Sequence, residues 1–213
     1  MAMTKKEALA IVFRCAQTYK SELMNHSLLF VCMDKHNRTY AVKVTFDASN
    51  FQHLTGLQTH KQGIRPGDFF RRCLDHRLSE KDFDFATDGT TPLKLEVLPM
   101  LVSKDLSANR IGDYNGQQPK LFTNKLAGNV RGCMGFKRDE HAGRYVPNTV
   151  LKGRTEDFTG KTDRIIVTYR KQASEKCYSE IVHAAKNVPW DKIRLPVGYE
   201  DLPLPNVVEM AVV

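Results

Sequence analysis

The hydrophobic pattern of this chain changes its period near Arg110, and that change limits the folds open to it. Apart from one early pair of strands, apolar residues before Arg110 recur mainly at helical spacing. After it, they alternate with polar residues at a period of two, which buries one face of a β-strand. We therefore predict an α+β protein in which N-terminal helices pack on an antiparallel β-sheet.

The N-terminal segment predicts a capped helix followed by a β-hairpin. Thr4 and Glu7 have the spacing of a capping box, in which each side chain accepts from a free backbone N–H group. The apolar stripe that follows predicts a helix over roughly 5–24. The apolar run 26–33 and the alternating segment 38–46 flank a turn sequence, so they predict two paired strands.

Further helices are predicted from capping residues. Asp68 can cap a second helix, and Thr91 can cap a third, which Pro99 would kink or interrupt. Ser174 can cap a fourth helix, and the segment after it is rich in proline and expected to extend over the surface. The later strands of the sheet are predicted at 110–115, 120–123, 130–136, 145–151 and 164–171.

Length and composition indicate one domain with terminal extensions. The 213 residues, 41% hydrophobic and 26% charged, allow one sizeable core. The predicted division is an N-terminal helix over 1–24, an α+β domain over 25–172, and a C-terminal helix and tail over 173–213 that pack on the same domain. The sequence has no run of membrane-spanning length and no hydrophobic signal region, so we expect a cytoplasmic protein without a membrane partner.

The cysteines give no sign of a metal or disulfide framework. Five are present, widely spread, and no pair has the spacing of metal ligands. We expect each to be a small buried hydrophobe, and we expect no metal and no cofactor.

Positive charge is concentrated in one part of the chain. Residues 120–171 contain 12 Lys and Arg against 5 Asp and Glu, whereas the remainder is nearly balanced with 20 against 19. A basic segment suits a polyanionic partner, nucleic acid above all. The structural alternative is a solvated cationic face, so charge alone does not decide the function.

The run from Phe51 to Gly56 is the strongest local candidate for chemistry. It follows the predicted hairpin and places His53 two positions before Thr55. Histidine can take and give a proton near neutral pH, and turns after a rigid strand often carry such groups. The structural alternative is that His53 binds a carbonyl to fix the turn, Thr55 begins the next element and Gly56 adopts a positive φ.

An ordered series of short motifs points to a family. The motifs are Phe51–Gly56, Asp68–Phe70, Lys94–Leu98, Ile111–Asn115, Leu126–Asn129, Gly135–Lys137 and Tyr145–Asn148. In this order they resemble the phage Barnase–EndoU–colicin–RelE-like nucleases, subfamily four, over roughly residues 25–172. The resemblance implies a helix-plus-sheet fold shared with metal-independent ribonucleases and toxins, and family members are often encoded by phages and prophages.

The resemblance implies RNA cleavage by attack of the 2′-OH on its own phosphate. His53 is then the candidate general acid or base, and Thr55 would donate to the phosphate or orient His53. Lys125 would supply catalytic positive charge. The candidate substrate-binding residues are Tyr114, Asn115, Asn129, Tyr145, Asn148 and Arg164. The structural alternatives for them are core or rim aromatic rings, asparagines that form turns, and a solvated cation at a strand edge.

Two other functions remain open from the sequence. One is a non-catalytic RNA-binding module on the same fold, and the other is a toxin-like transferase. RNA is the expected partner of the nuclease and of the binding module, and a toxin-type nuclease would add a protein inhibitor. A second proton-transfer group beside His53 would separate the nuclease from the binding module, and the sequence alone does not identify one.

Overall fold

The computed structural model describes residues 3–59, 63–117 and 119–205. Its helices are α1 (Lys5–Glu22), α2 (Phe51–Thr55), α3 (Pro66–Leu74), α4 (Thr90–Leu101) and α5 (Thr155–Thr159). Its strands are β1 (His26–Met33), β2 (Thr39–Thr45), β3 (Leu57–Gln58), β4 (Asp84–Phe85), β5 (Arg110–Asp113), β6 (Lys125–Gly128), β7 (Gly132–Asp139), β8 (Arg144–Lys152), β9 (Asp163–Gln172) and β10 (Glu180–Ala184). The contents of 28% helix and 30% strand confirm the predicted α+β class. None of the helices in these ranges combines the length and the apolar character needed to cross a membrane.

The large sheet curves until it closes on itself. Within the described residues its strand order is β1-β2-β8-β7-β6-β5-β9-β10, and β1 also pairs with β9. The first seven strands of this order therefore form a ring, and β10 extends it beside β9. Neighbouring strands are antiparallel except β2 and β8, which run parallel and pair at Val44 and Tyr145. Closure of this kind protects strand edges from pairing with other chains.

The first helix forms by the local rules that predicted it. The Thr4 hydroxyl accepts from the Glu7 N–H at 3.2 Å, and the Glu7 carboxylate accepts from the Thr4 N–H at 2.7 Å. This capping box satisfies two free donors at the start of α1. Near the other end, the buried Tyr19 ring packs on Phe51 with ring centroids 5.2 Å apart. In this way α1 helps to fix the position of α2.

The two faces of the sheet bury different parts of the chain. The inner face carries Phe30, Val42 and Phe136 and packs on helices α1 to α4. The outer face of β1 and β9 is covered by the C-terminal segment, which buries Tyr178 and Trp190 there. Helices on one face and the C-terminal segment on the other thus remove the central strand β1 from solvent on both sides.

The prediction of a helix capped by Ser174 is wrong. The structure has strand β10 in its place, paired with β9 and interrupted by a bulge between Ile181 and His183. On the edge of β9 that does not pair with β1, β5 pairs only with residues 163 and 164, so the backbone groups of residues 167–170 are available to β10. This long-range pairing outweighs the helical spacing of the apolar residues.

Two strand boundaries also differ from the sequence prediction. Residues 120–123 were expected to form a strand but lie in an irregular segment. The strand lies just after it, at β6, over residues 125–128. Hydrogen bonding from both β5 and β7 makes these residues extended.

Two helices begin earlier than their predicted caps. The helix α3 starts at Pro66 rather than after Asp68, because proline is preset for the first helical position. The helix α4 has Gly89 at its N-cap in place of Thr91, and it runs through Pro99. Four cysteines are buried as expected, whereas Cys177 is exposed, and all five are free.

Candidate active site

The run from Phe51 to Gly56 folds as one turn of helix, not as an open loop. Phe51 and Leu54 are buried in the core, whereas His53 is exposed on the other side of α2. Gly56 ends the helix with a φ of 71°, a left-handed conformation that glycine adopts without strain. The short helix therefore anchors its apolar face and turns His53 outward.

The side chain of Thr55 is held inside the fold by hydrogen bonds. Its side chain is buried, and its hydroxyl donates to the Gln52 carbonyl at 2.8 Å and accepts from the Leu57 N–H at 3.1 Å. Both contacts lie within α2 and the residues that leave it. With this hydroxyl engaged inside the fold, Thr55 shapes the turn and does not present a group to the cleft beside His53.

The start of α4 is hydrogen-bonded to the end of α2. The Thr91 hydroxyl donates to the Gly56 carbonyl at 2.9 Å and accepts from the Ala86 N–H at 2.8 Å. A Cβ atom at Gly56 would lie only 2.9 Å from Cδ of Lys94. The glycine thus leaves room for the Lys94 side chain to cross the end of α2 and lie near His53.

The pKa values of His53 and Lys94 are both lowered by their surroundings. Although His53 as a residue is exposed, partial desolvation of its imidazole lowers its pKa from the usual value, and the positive charge of Lys94 lowers it further. Burial also lowers the pKa of Lys94, while Asp88 opposes this effect from a distance. In the described ranges neither side chain has a hydrogen-bond or salt-bridge partner. The lowered pKa favours a neutral imidazole at His53 near pH 7, beside a lysine that forms no salt bridge within the described residues.

These two residues open onto a cleft of about 580 Å³, called here the His53 cleft. Its other walls come from β3, the start of α4, the irregular segment before β6, and β8. Lys120 adds a second cation, and Phe122 lies at the same opening. The remaining polar lining residues are Gln52, Gln58, Thr59, Asp88, Thr90, Asn148 and Thr149.

Among the predicted substrate-binding residues, Asn148 lines this cleft. Its amide nitrogen donates to the Phe122 carbonyl at 2.7 Å, and its oxygen accepts from the Thr123 hydroxyl at 2.9 Å. The side chain therefore holds the segment that carries Lys120 and Phe122 against β8. Its contribution is to position this wall of the cleft.

Lys125 lies elsewhere, in a group of polar side chains called here the strand-end cluster: Tyr40, Asp113, Lys125 and Asp163. Lys125 forms a salt bridge with Asp113, and its side chain is only 17% exposed. The Tyr40 hydroxyl donates to Asp163 at 2.7 Å. Burial and the neighbouring negative charge of Asp163 raise the pKa of Tyr40. Lys125 does not line the His53 cleft.

The other predicted residues are distributed around the fold. Asn115 accepts from the Gln117 N–H, Asn129 caps the turn between β6 and β7, and the Tyr114 hydroxyl donates to the Pro119 carbonyl. Tyr145 packs against the main core from β8. These four residues contact the protein's own backbone or core, and the structure does not bring them to the His53 cleft.

Arg164 lies in a second cationic cavity, of about 410 Å³. It is the cross-strand neighbour of Arg110, and its guanidinium donates to the Lys186 carbonyl. His183 lines the same cavity from β10. The cavity is thus built by β5, β9 and β10, on strands other than those that line the His53 cleft.

Sequence reasoning missed Lys94, Lys120 and Phe122 as site residues. Lys94 begins one of the motifs that resemble the nuclease family, and this was the one signal that could have marked it. Its link to His53 depends on the packing of α4 on Gly56, which no local pattern reveals. In the described part of the chain, no three or more His, Cys, Asp or Glu side chains are grouped so that they could hold a metal ion.

Comparison with known proteins gives a family assignment for nearly the whole fold. No curated protein and no solved structure matches the chain. A family model does match, over residues 11–187, which include every element from α1 to β10 apart from the first turns of α1. The chain therefore belongs to the phage-Barnase-EndoU-ColicinE5/D-RelE like nuclease4 family, and it carries a nuclease-like domain.

Proposed function

We propose that this protein is an endoribonuclease that cleaves RNA without a metal ion, and that the His53 cleft is its active site. The observation that carries the proposal is the pairing, in one cleft, of an accessible histidine and a lysine that form no salt bridge or side-chain hydrogen bond within the described residues, both with lowered pKa values. Family membership supports a nucleic acid as substrate. Two lysines in one cleft suit a substrate whose reacting group is a phosphate.

The proposed reaction begins at the RNA 2′-OH. Neutral His53 takes the proton from this hydroxyl, and the freed oxygen attacks the adjacent phosphorus. The bond from phosphorus to the 5′ oxygen then breaks, which leaves a 2′,3′-cyclic phosphate on one product and a 5′-OH on the other. His53 is suited to the first step because its lowered pKa leaves it unprotonated at neutral pH.

Lys94 has two roles in this proposal. As an ammonium group it stabilises the negative charge that grows on the phosphate oxygens. Its lowered pKa also makes it a better proton donor than an ordinary lysine, so it supplies the proton for the departing 5′ oxygen. Lys120 adds charge on the wall carried by Asn148.

The wider biological assignment rests on the family to which the chain belongs. We infer a toxin-type enzyme, encoded by a phage or prophage, that acts on RNA in the cytoplasm. A protein inhibitor would then be expected to cover the His53 cleft. Thr55 and Asn148 enter the proposal as residues that shape the cleft, because their polar groups are bound to the protein's own backbone and side chains.

The direct test is to incubate single-stranded RNA with the protein in EDTA and analyse the ends of the products. We expect 2′,3′-cyclic phosphate ends, and no cleavage of the same strand made with 2′-deoxy nucleotides. If no RNA is cleaved under any condition, the proposal fails. Salt-dependent RNA binding without products would instead identify a non-catalytic binding module.

A further inference from the structure

Phe122 is the most exposed large aromatic side chain at the mouth of the His53 cleft. Its side chain is 93% exposed, although most phenylalanines of this protein are buried. Exposure by itself means little, because single apolar side chains are common on protein surfaces. The position of Phe122 is what suggests a function, because the residue lies two positions after Lys120 on the solvent-facing wall of the His53 cleft.

The backbone on both sides of Phe122 is held rigidly although its ring is free. Asn148 binds the Phe122 carbonyl and the Thr123 hydroxyl, at 2.7 Å and 2.9 Å. Thr123 rests on Gly135, where a Cβ atom would come within 3.0 Å of the threonine Cγ2. The segment is therefore pressed against the sheet at a glycine that leaves space for it.

The segment is also tied down on its N-terminal side and just after Thr123. The Tyr114 hydroxyl donates to the Pro119 carbonyl, and the Tyr114 N–H donates to the Asn124 carbonyl at 2.9 Å. The Asn124 N–H donates to Phe136 on β7 at 2.8 Å. An aromatic ring on so fixed a support loses little conformational entropy when a flat ligand covers it.

A nucleobase is the flat ligand that fits this position. RNA whose phosphate lies between Lys94 and Lys120 places the bases of the neighbouring nucleotides at the rim of the cleft. Aromatic side chains stack on unpaired bases of single-stranded RNA, and every base has a π-face that suits such contact. A base inside a duplex is already stacked on its neighbours and covered on both faces.

We propose that Phe122 forms a nucleobase-stacking subsite at the mouth of the cleft and so selects RNA with an unpaired nucleotide next to the scissile phosphate. The inference rests on the proposed function, since it uses the same cleft. It extends that function by naming the substrate class and the residue that recognises it.

The subsite is tested by binding, separately from cleavage. The probe is a short 2′-O-methyl RNA strand, which lacks the attacking hydroxyl, with the fluorescent base 2-aminopurine placed at successive positions. Wild-type protein should quench one position by stacking and should bind the single strand more tightly than the matching duplex. Phe122→Ala should weaken single-strand binding about tenfold and abolish the quenching, while Phe122→Trp retains both.

Val197 supplies the matched control. It lies on the C-terminal segment and is also 93% exposed, so Val197→Ala removes exposed apolar surface, in a smaller amount, away from the cleft. This variant should bind like wild type.

Equal binding by Phe122→Ala and wild type would overturn the subsite even if the enzyme cleaves RNA. Loss of quenching in Phe122→Ala, in a protein that cleaves no RNA, would keep the subsite and reject the proposed nuclease. Self-association of wild type that Phe122→Ala removes would assign the ring to a contact between copies.

Discussion

The His53 cleft and the strand-end cluster each contain a partly buried lysine beside another titratable group, but only one of them leaves these groups free. In the cluster, Lys125 is paired with Asp113, and Tyr40 donates to Asp163. In the cleft, Lys94 and His53 have no such partners in the described ranges. Paired groups are stabilised in one protonation state, whereas unpaired groups with shifted pKa values are poised for proton transfer. The comparison therefore favours the cleft as the chemical site.

Apart from His53 itself, the largest expected effect that sharpens this contrast is at Lys94. Lys94→Ala should lower the RNA cleavage rate by about 10²-fold, the usual effect of removing one charge-stabilising donor. The measurement is kcat under saturating single-stranded RNA. Lys35, an exposed lysine in the β1–β2 turn, provides the control. If Lys35→Ala loses as much activity as Lys94→Ala, general positive charge rather than the cleft explains catalysis.

Thr55 should affect stability more than chemistry. Thr55→Val removes the acceptor of the buried Leu57 N–H, so the free energy of unfolding should fall by about 1–3 kcal/mol. Urea denaturation measures this change. Thr55→Ser keeps the hydroxyl and should recover most of the loss. A Thr55→Val protein of normal stability but greatly reduced activity per folded molecule would return Thr55 to the catalytic group.

The coupling between Lys94 and His53 predicts a titration shift. Lys94→Gln removes a positive charge that lowers the pKa of His53, so that pKa should rise toward its usual value. An NMR titration of the imidazole protons measures it, with Lys35→Gln as the control that leaves it unchanged. An unaltered pKa in Lys94→Gln would mean that the two groups do not interact.

The smallest effects are expected in the strand-end cluster. Asp113 is 79% exposed, so the Lys125–Asp113 salt bridge should contribute no more than about 1 kcal/mol. A double-mutant cycle with Lys125→Ala and Asp113→Ala measures this coupling from unfolding free energies. A much larger coupling would show that the cluster is a tightly organised polar site, and it would weaken the contrast with the cleft.

Local rules account for the parts of the fold that the sequence predicted well. Thr4 and Glu7 cap α1 through contacts three residues apart, so their pattern contains the whole interaction. The strand β1 was found at its predicted limits of 26 and 33 because β2 and β9 flank it and both faces are buried. A strand buried on both faces reads as an unbroken apolar run.

The errors and omissions arise where distant segments meet. The strand β10 forms because β5 leaves most of one edge of β9 unpaired, and no local signal in the residues after Ser174 indicates that edge. For the same reason Lys94 was not predicted as a site residue, because it approaches His53 only through the contact of Thr91 with Gly56. His53 itself could be selected as a candidate from its motif, whereas the companions that make it a site come from tertiary packing.

The most direct test compares His53 with Lys125 in one assay of single-stranded RNA cleavage in EDTA. We predict that His53→Ala slows cleavage by about 10²–10⁴-fold, the range expected for loss of a general base, while Lys125→Ala cleaves near the wild-type rate. Both variants should retain wild-type thermal unfolding to within the small change expected for Lys125. Wild-type cleavage by His53→Ala, or a loss in Lys125→Ala equal to that in His53→Ala, would contradict the assignment of the active site to the His53 cleft.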